Sequence, residues 1–246
     1  PSDAEVYEGL AETWIRQIEM AVVRSNPTES LYKKSLATID DLIRVDSSSY
    51  SGHLKKSFAS MMSLSTSGAN LDGADLTNTC VKEAQMVLDV DANNSYALDL
   101  IGICVRFLAE QAVVHGQDPI LYLERSAQYF ELALKKNLRF IWAINDLAIV
   151  YLAKYSYLSK RGDLASIKNI EQALALQSVA ISLDATYLNP ISTSLFGIVM
   201  MIESATDEVK IRESLETAER RFRQCIIVNP QYQQCYLNYG EVYARA

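Results

Sequence analysis

Apolar residues recur along the chain at the three- and four-residue spacing of amphipathic helices. In the segment YLERSAQYFELALKK, Leu123, Ala127, Phe130 and Leu134 fall on one side of a helix. Polar segments such as SNPTES, SGANLDGAD, HGQDP and KRGD separate these patterns, and their Asn and Asp side chains are suited to cap the following helix. The pattern predicts eleven helices, at residues 4–23, 28–45, 50–66, 75–90, 95–114, 119–136, 140–160, 164–183, 190–204, 207–228 and 232–246.

A large apolar residue followed by Gly or Ala recurs with a much longer period. The small residues of these pairs are 43, 46, 49 and 43 positions apart, at Ala59, Gly102, Ala148, Gly197 and Gly240. An aspartate that opens a helical pattern recurs at spacings of 43, 45 and 44, at Asp75, Asp118, Asp163 and Asp207. A shared period of this length is typical of stacked helical repeats. It predicts hairpins at about 4–45, 50–90, 95–136, 140–183 and 190–228, followed by a final helix at 232–246.

The last repeat resembles the tetratricopeptide repeat. The residues that match the spacing of that family are Ala218, Phe222, Cys225, Pro230, Tyr236, Tyr239, Gly240 and Tyr243. The resemblance implies an all-α fold, a right-handed α-α superhelix in which residues 1–246 form a single solenoid. The lengthened period is similar to that of arrays on the C-terminal side of bacterial Ser/Thr protein kinases, which implies a regulatory or sensor region of a bacterial signalling protein.

In tetratricopeptide arrays the first helix of each hairpin lines a concave groove, so the resemblance also implies a binding site. The implied groove residues are Tyr96, Asp99, Ile103, Arg106 and Phe107, then Trp142, Asn145, Ile149 and Leu152, then Ile191, Ser194, Ile198, Met201 and Ile202. Large aromatic side chains such as Trp142 and Tyr96 would anchor a peptide. Arg106 and Asn145 would fix its orientation through polar contacts. For each of these residues, packing in the core is the alternative.

Two functions fit this interpretation. The first is a protein-interaction scaffold that binds a peptide or protein partner in the groove. The second is a small-molecule receptor with a pocket between helices, lined by Trp142, Tyr151 and Tyr155. No enzyme signature is present in the sequence, and no cofactor is expected. The segment DVDANN begins like a calcium loop, but Asn94 replaces its glycine and Leu100 replaces its glutamate, so an inter-repeat turn is expected instead.

Composition and charge limit the kinds of partner and the cellular location that are expected. The net charge of −7 and the absence of a Lys/Arg block argue against nucleic-acid binding. No apolar run reaches the length of about 18 residues that a membrane span needs, so direct membrane insertion is not expected. The expected location is the cytoplasm, with the periplasm as the alternative if a membrane span precedes these residues in the parent chain.

The four cysteines lie in apolar helical patterns, which favours buried, reduced thiols. Cys225 and Cys235 are placed so that they could face each other across a hairpin, and a disulfide between them is the alternative. Two histidines far apart in sequence, His53 and His115, give no basis for a zinc site.

The final segment, CYLNYGEVYARA, is predicted to be the first helix of a sixth repeat that covers the preceding hairpin. We expect the parent chain to continue beyond this helix, or the helix to pack on another molecule, including a second copy of the chain.

Overall fold

The fold is all-helical throughout the part of the chain that the computed structural model describes, residues 3–24, 26–47, 50–64 and 73–245. In these residues the chain forms eleven α-helices and one short 3₁₀ turn, and no β-strand. The predicted fold class is therefore confirmed. The helices are α1 (Asp3–Val23), α2 (Glu29–Val45), α3 (Tyr50–Leu64), α4 (Gly73–Val90), α5 (Ser95–Val114), α6 (Ile120–Lys136), α7 (Ile141–Ser159), α8 (Ile167–Leu183), α9 (Leu188–Ser204), α10 (Glu208–Val228) and α11 (Gln233–Arg245).

The predicted helix boundaries agree closely with the observed ones. The largest difference is at α8, which begins at Ile167 because Leu164–Ser166 form the 3₁₀ turn instead. Helix α4 begins at Gly73, two residues before the aspartate expected to open it. The predicted helical residues 65–66 and 246 lie outside the described residues, as do Ser25 of SNPTES and residues 67–72 of SGANLDGAD.

The chain divides into two compact units, Pro1–Asn137 and Leu138–Ala246, called here the N-terminal unit and the C-terminal unit. In the N-terminal unit, three consecutive hairpins, α1–α2, α3–α4 and α5–α6, stack through α2 on α3 and α4 on α5. In the C-terminal unit, hairpins α7–α8 and α9–α10 stack through α8 on α9, and α11 packs on α9 and α10. A single solenoid over residues 1–246 stays a prediction.

Each unit has its own apolar core. In the N-terminal unit the largest completely buried side chains include Phe130, Ile18, Ile39, Leu42 and Ile101. In the C-terminal unit, a cluster around α9 contains Ile191, Leu195, Ile198, Cys225 and Val242. Burial of such a stripe on every helix provides most of the stability of stacked hairpins, since short helices are marginal by themselves.

Aspartates at the repeat period begin the second helices of three hairpins. The Oδ1 atoms of Asp118, Asp163 and Asp207 each accept a hydrogen bond from the backbone N–H two residues later, at 2.9, 3.0 and 2.9 Å. Gly116 and Gly162 precede the first two of these aspartates and have φ angles of 69° and 81°, which glycine adopts without a steric penalty. Three of the four periodic aspartates therefore mark the start of a helix or of the 3₁₀ turn that precedes it, whereas Asp75 lies inside α4.

The turns between hairpins use the same chemistry. After α4, α8 and α10, the side chains of Asp91, Asp184 and Asn229 accept the backbone N–H two residues later, at 3.0, 2.8 and 2.9 Å. This local bond stabilises a tight turn and ends the helix. The segment DVDANN is accordingly an inter-hairpin turn, in which Asn94 caps α5 by accepting from Ala97 N at 3.0 Å.

Four of the five periodic small residues are buried between packed helices. Ala59, Gly102, Ala148 and Gly197 are buried. A Cβ atom added at Gly102 would lie 2.6 Å from the Phe130 ring on α6, and one added at Gly197 would lie 3.1 Å from Leu174. Gly240 on α11 differs, because nothing lies within 4 Å of an added Cβ. Close packing thus explains the small residue at Gly102 in the N-terminal unit and at Gly197 in the C-terminal unit, but not at Gly240 of α11.

Alanine substitutions at two of the helical glycines are predicted to act in opposite directions. Gly102→Ala should lower the free energy of unfolding by about 1–3 kcal/mol, because the completely buried Phe130 ring cannot move aside. Gly240→Ala should raise it by about 0.5–1 kcal/mol, because alanine favours the helix and meets no neighbour. Urea denaturation of both variants measures this, and destabilisation by the two of equal size would contradict the packing.

All four cysteines form disulfides, so the expectation of reduced thiols is wrong. Cys80 on α4 is bonded to Cys104 on α5, and Cys225 on α10 to Cys235 on α11, each pair with Cα atoms 6.5 Å apart. Both bonds join the second helix of one hairpin to the helix that begins the next. Reduced and paired cysteines prefer the same buried environment, so apolar patterning alone does not distinguish them.

Candidate partner-binding faces

The predicted binding residues of the N-terminal unit lie on α5, with different exposures. Asp99 is buried, at 2% exposure, and cannot meet a partner directly. Tyr96 and Phe107 are partly buried. The Tyr96 ring stacks against Phe58 of α3 at a centroid distance of 6.4 Å, and its burial raises the pKa of its phenol. Tyr96 therefore contributes to packing between α3 and α5 as well as to the surface.

Arg106 is a largely covered cation. Its side chain is 16% exposed and pairs with Glu110 one turn later on α5. The guanidinium lies over the Phe107 ring, 5.3 Å from its centroid, in a cation–π arrangement. The buried Nε atom has no hydrogen-bond partner within the described residues. Arg106 and Phe107 thus lie together on this face, and the Arg106 Nε–H is a donor without a hydrogen-bond partner among the described residues.

The predicted binding residues of α7 differ in exposure: one is exposed, one is partly buried and one is buried. Trp142 is 44% exposed, and its ring lies 5.6 Å from that of Phe140 at the start of the helix. Ile149 is partly buried. Asn145 is only 3% exposed, and its Oδ1 accepts a hydrogen bond from Gln177 Nε2 of α8 at 3.3 Å. An open groove position was expected for Asn145, but its amide is paired inside the hairpin with a completely buried glutamine.

Met201 of α9 and aromatic residues of α7 pack on the same apolar core. Met200, Met201, Tyr151 and Tyr155 are partly buried and pack on a core formed where α7 meets α8. In the C-terminal unit, the partly buried side chains of α7 and α9 therefore provide aromatic and thioether groups near the surface. Methionine side chains adapt their shape to different partners.

The N-terminal unit contains a polar network that the sequence does not predict. Glu83 of α4 is buried, and its carboxylate lies 2.6 Å from His53 Nδ1 and 3.4 Å from Lys56 Nζ, both on α3. Lys56 also pairs with Asp40 of α2 at 2.8 Å. Burial lowers the pKa of Lys56, but the hydrogen bond to Asp40 and the Glu83 charge outweigh burial and raise it. The network joins three helices, and its partners are too far apart in sequence to form a recognisable motif.

An aromatic ladder on α10 and α11 was also not predicted as a unit. The Phe222 ring stacks on Tyr239 at 4.1 Å and meets Tyr236 edge-on at 5.2 Å, and Tyr239 contacts Tyr243 at 5.0 Å. Burial and the hydrogen bond with Tyr243 raise the pKa of Tyr239 to about 12. Tyr236 and Tyr243 remain exposed, at 47% and 59%. The ladder ties α11 to α10 while leaving its outer side aromatic.

One cavity, of about 240 Å³, lies at the end of α1. It is smaller than typical ligand pockets of about 300–1,000 Å³. None of the predicted binding residues lines it; its lining comprises Gln17, Met20, Ala21, Arg24, Asn26 and Leu31.

The described ranges contain neither a metal-binding cluster nor a membrane span. No group of three or more His, Cys, Asp or Glu side chains in those ranges could hold a metal ion. No described helix is long and apolar enough to cross a bilayer.

Comparisons with known proteins support the fold class. No family model matches the chain, and no curated protein matches its sequence. A likeness is found among solved structures. The chain is similar to a thermophilic TPR protein of Thermus thermophilus, with a TM-score of 0.63 and 13% identity over 95% of this chain and 99% of that one. At this identity the likeness concerns the fold.

Proposed function

We propose that this chain is a protein-interaction scaffold that binds a peptide or protein partner through the surfaces of its first helices. The observation that carries the proposal is Trp142, a large aromatic side chain left 44% exposed on α7. Exposed aromatic side chains on a rigid scaffold are the residues that most often dominate binding energy at protein interfaces.

Helix α9 is also unusually apolar. Helix α9 contains a single charged residue, whereas its hairpin partner α10 contains nine. A helix that is apolar on more than its core side is suited to a further contact. The proposed contact residues have exposed or partly buried side chains: Tyr96, Arg106 and Phe107 on α5, Trp142 and Ile149 on α7, and Met201 on α9. Asp99 and Asn145 would support them from beneath.

The resemblance to arrays next to bacterial Ser/Thr kinases suggests what the scaffold serves. We propose that it is the regulatory or sensor part of a bacterial signalling protein, with any catalytic activity in another part of the parent chain. This link rests on the sequence resemblance alone. Self-association through α11 is a further proposal, supported by its exposed Tyr236 and Tyr243.

A small-molecule receptor is the second candidate. Tyr151 and Tyr155, which the sequence predicts to line a pocket, are partly buried and pack on the α7–α8 core, as do Met200 and Met201. An enclosed pocket with a few polar groups would favour this function over peptide binding. A thermal-shift screen of small ligands on the isolated protein distinguishes the two, because a scaffold should show no stabilisation.

The cysteine pairing suggests the compartment. Stable disulfides are rare in reducing cytosol and common outside it. We propose an oxidising compartment such as the periplasm, in place of the expected cytoplasm. All four cysteines are paired, and every one is completely buried.

A pull-down from the source organism tests the interaction. Trp142→Ala and Arg106→Ala are each expected to weaken capture of a partner at least tenfold, because they remove an aromatic anchor and a charge-assisted donor. The matched controls are Ile227→Ala and Arg212→Ala, since both are exposed side chains of α10, a second helix. Retention of the partners by the α5 and α7 variants at wild-type affinity would refute the assignment.

A further inference from the structure

The two disulfides link equivalent pairs of helices, but at different positions along them and in different surroundings. Cys80–Cys104 links α4 to α5, and Cys225–Cys235 links α10 to α11. All four cysteines are completely buried. A reductant can reach buried sulfur atoms only after the linked helices separate locally. The rate of reduction therefore reports how firmly each helix pair is held.

The helices that carry Cys80–Cys104 are held from both sides. Helix α4 packs on α3, and α5 packs on α3 and α6. Val87, Ala97, Leu100 and Ile101 of this seam are buried at 1% exposure or less. Opening the seam would break the packing of several helices together.

Helix α11 is held from one side only within the described part of the chain. It has 13 residues, a length at which a helix depends on tertiary contacts. Cys235, Asn238 and Val242 are buried. The opposite side is exposed at Tyr236, Leu237, Gly240 and Tyr243. Among the described helices, opening α11 would disturb only its contacts with α9 and α10.

Helix α11 covers one side of α9 through polar contacts as well as apolar ones. Asn238 Nδ2 donates to the Ser192 carbonyl at 2.8 Å, and Arg245 pairs with Glu203 at 2.9 Å. Val242 and Cys235 join the apolar cluster that contains Ile191, Leu195 and Ile198 of α9. Release of α11 would therefore expose a long apolar side of α9.

We propose that Cys225–Cys235 is a redox latch: its reduction releases α11 and exposes α9, while Cys80–Cys104 stays intact. The co-reactant is a dithiol. One thiolate attacks a protein sulfur, the protein S–S bond breaks, and a mixed disulfide forms. The second thiol of the reagent then displaces the protein sulfur, leaving two protein thiols and an oxidised, cyclic reagent. Two electrons pass from the dithiol to the protein, and the latch does not require the proposed partner.

Graded reduction tests the latch on the folded chain. The oxidised protein is treated with dithiothreitol, quenched with iodoacetamide and mapped by mass spectrometry. Carboxamidomethylation of Cys225 and Cys235 is expected at least tenfold faster than that of Cys80 and Cys104. Amide hydrogen exchange over residues 233–245 should then accelerate at least tenfold, with α5 unchanged as the internal control.

A variant separates the latch from effects of the reagent. Cys225→Ala combined with Cys235→Ala should show the same rapid exchange in α11 without reductant, and Cys80→Ala combined with Cys104→Ala should not. Three results would overturn the proposal: four alkylatable thiols before reductant is added, reduction of Cys80–Cys104 first or at an equal rate, or unchanged exchange in α11 after reduction.

Discussion

Replacing Phe130 by alanine is expected to lower the free energy of unfolding of the N-terminal unit by about 3–5 kcal/mol. The ring is completely buried on α6 and fills the space above Gly102 of α5. Its removal loses the apolar transfer energy and leaves a cavity that the helical backbones cannot close. Urea denaturation followed by circular dichroism measures the change.

Phe196→Ala is the matched control for Phe130. Phe196 is the large apolar residue that precedes the periodic Gly197, and it is 45% exposed on α9. Its replacement should change stability by less than about 1 kcal/mol. Equal effects of the two substitutions would show that Phe130 does not hold α5 against α6.

Removal of the Cys80–Cys104 disulfide is also expected to have a large effect on stability. Cys80→Ala with Cys104→Ala should destabilise the N-terminal unit by about 3 kcal/mol, because the bond closes a loop between cysteines 24 positions apart and restricts the unfolded chain. The chain has two tryptophans, and a Trp142→Phe background leaves Trp14 of α1 as the only tryptophan reporter. Fluorescence of Trp14 during urea denaturation then follows the N-terminal unit.

The reductant supplies the control for the disulfide experiment. Both proteins, the Trp142→Phe variant with and without the two alanine substitutions, are unfolded in excess dithiothreitol and refolded in it. Their free energies of unfolding should then be nearly equal, since neither contains the Cys80–Cys104 bond. A difference of about 3 kcal/mol that persists under these conditions would assign the effect to side-chain packing and not to the covalent link.

Much of the fold could be predicted because its signals are local. Helical periodicity and the aspartates before second helices lie within one hairpin, and so does one of the two close glycine contacts, whereas Gly197 meets Leu174 of the preceding hairpin. The Gly102–Phe130 contact illustrates this, since both residues belong to the predicted hairpin 95–136. Agreement of helix boundaries to within three residues follows from these short-range rules.

The remaining features depend on contacts that the sequence does not reveal. Asn145 is buried because Gln177, 32 residues later, provides its hydrogen-bond partner. Cys80 and Cys104 are paired because adjacent hairpins bring α4 against α5 at those positions. Offsets transferred from a family place a residue on a helix side, but burial depends on the neighbouring helix and its side chains. This explains why Trp142 is exposed while Asn145, three positions later, is covered.

Site-specific photocrosslinking in cells of the source organism tests partner binding through the first helices most directly. Benzoylphenylalanine replaces Trp142 in one variant and Ile227, 82% exposed on α10, in the control. The account predicts a discrete crosslinked partner from position 142 and none from position 227. Crosslinks of equal yield from both positions, or from position 227 alone, would contradict it.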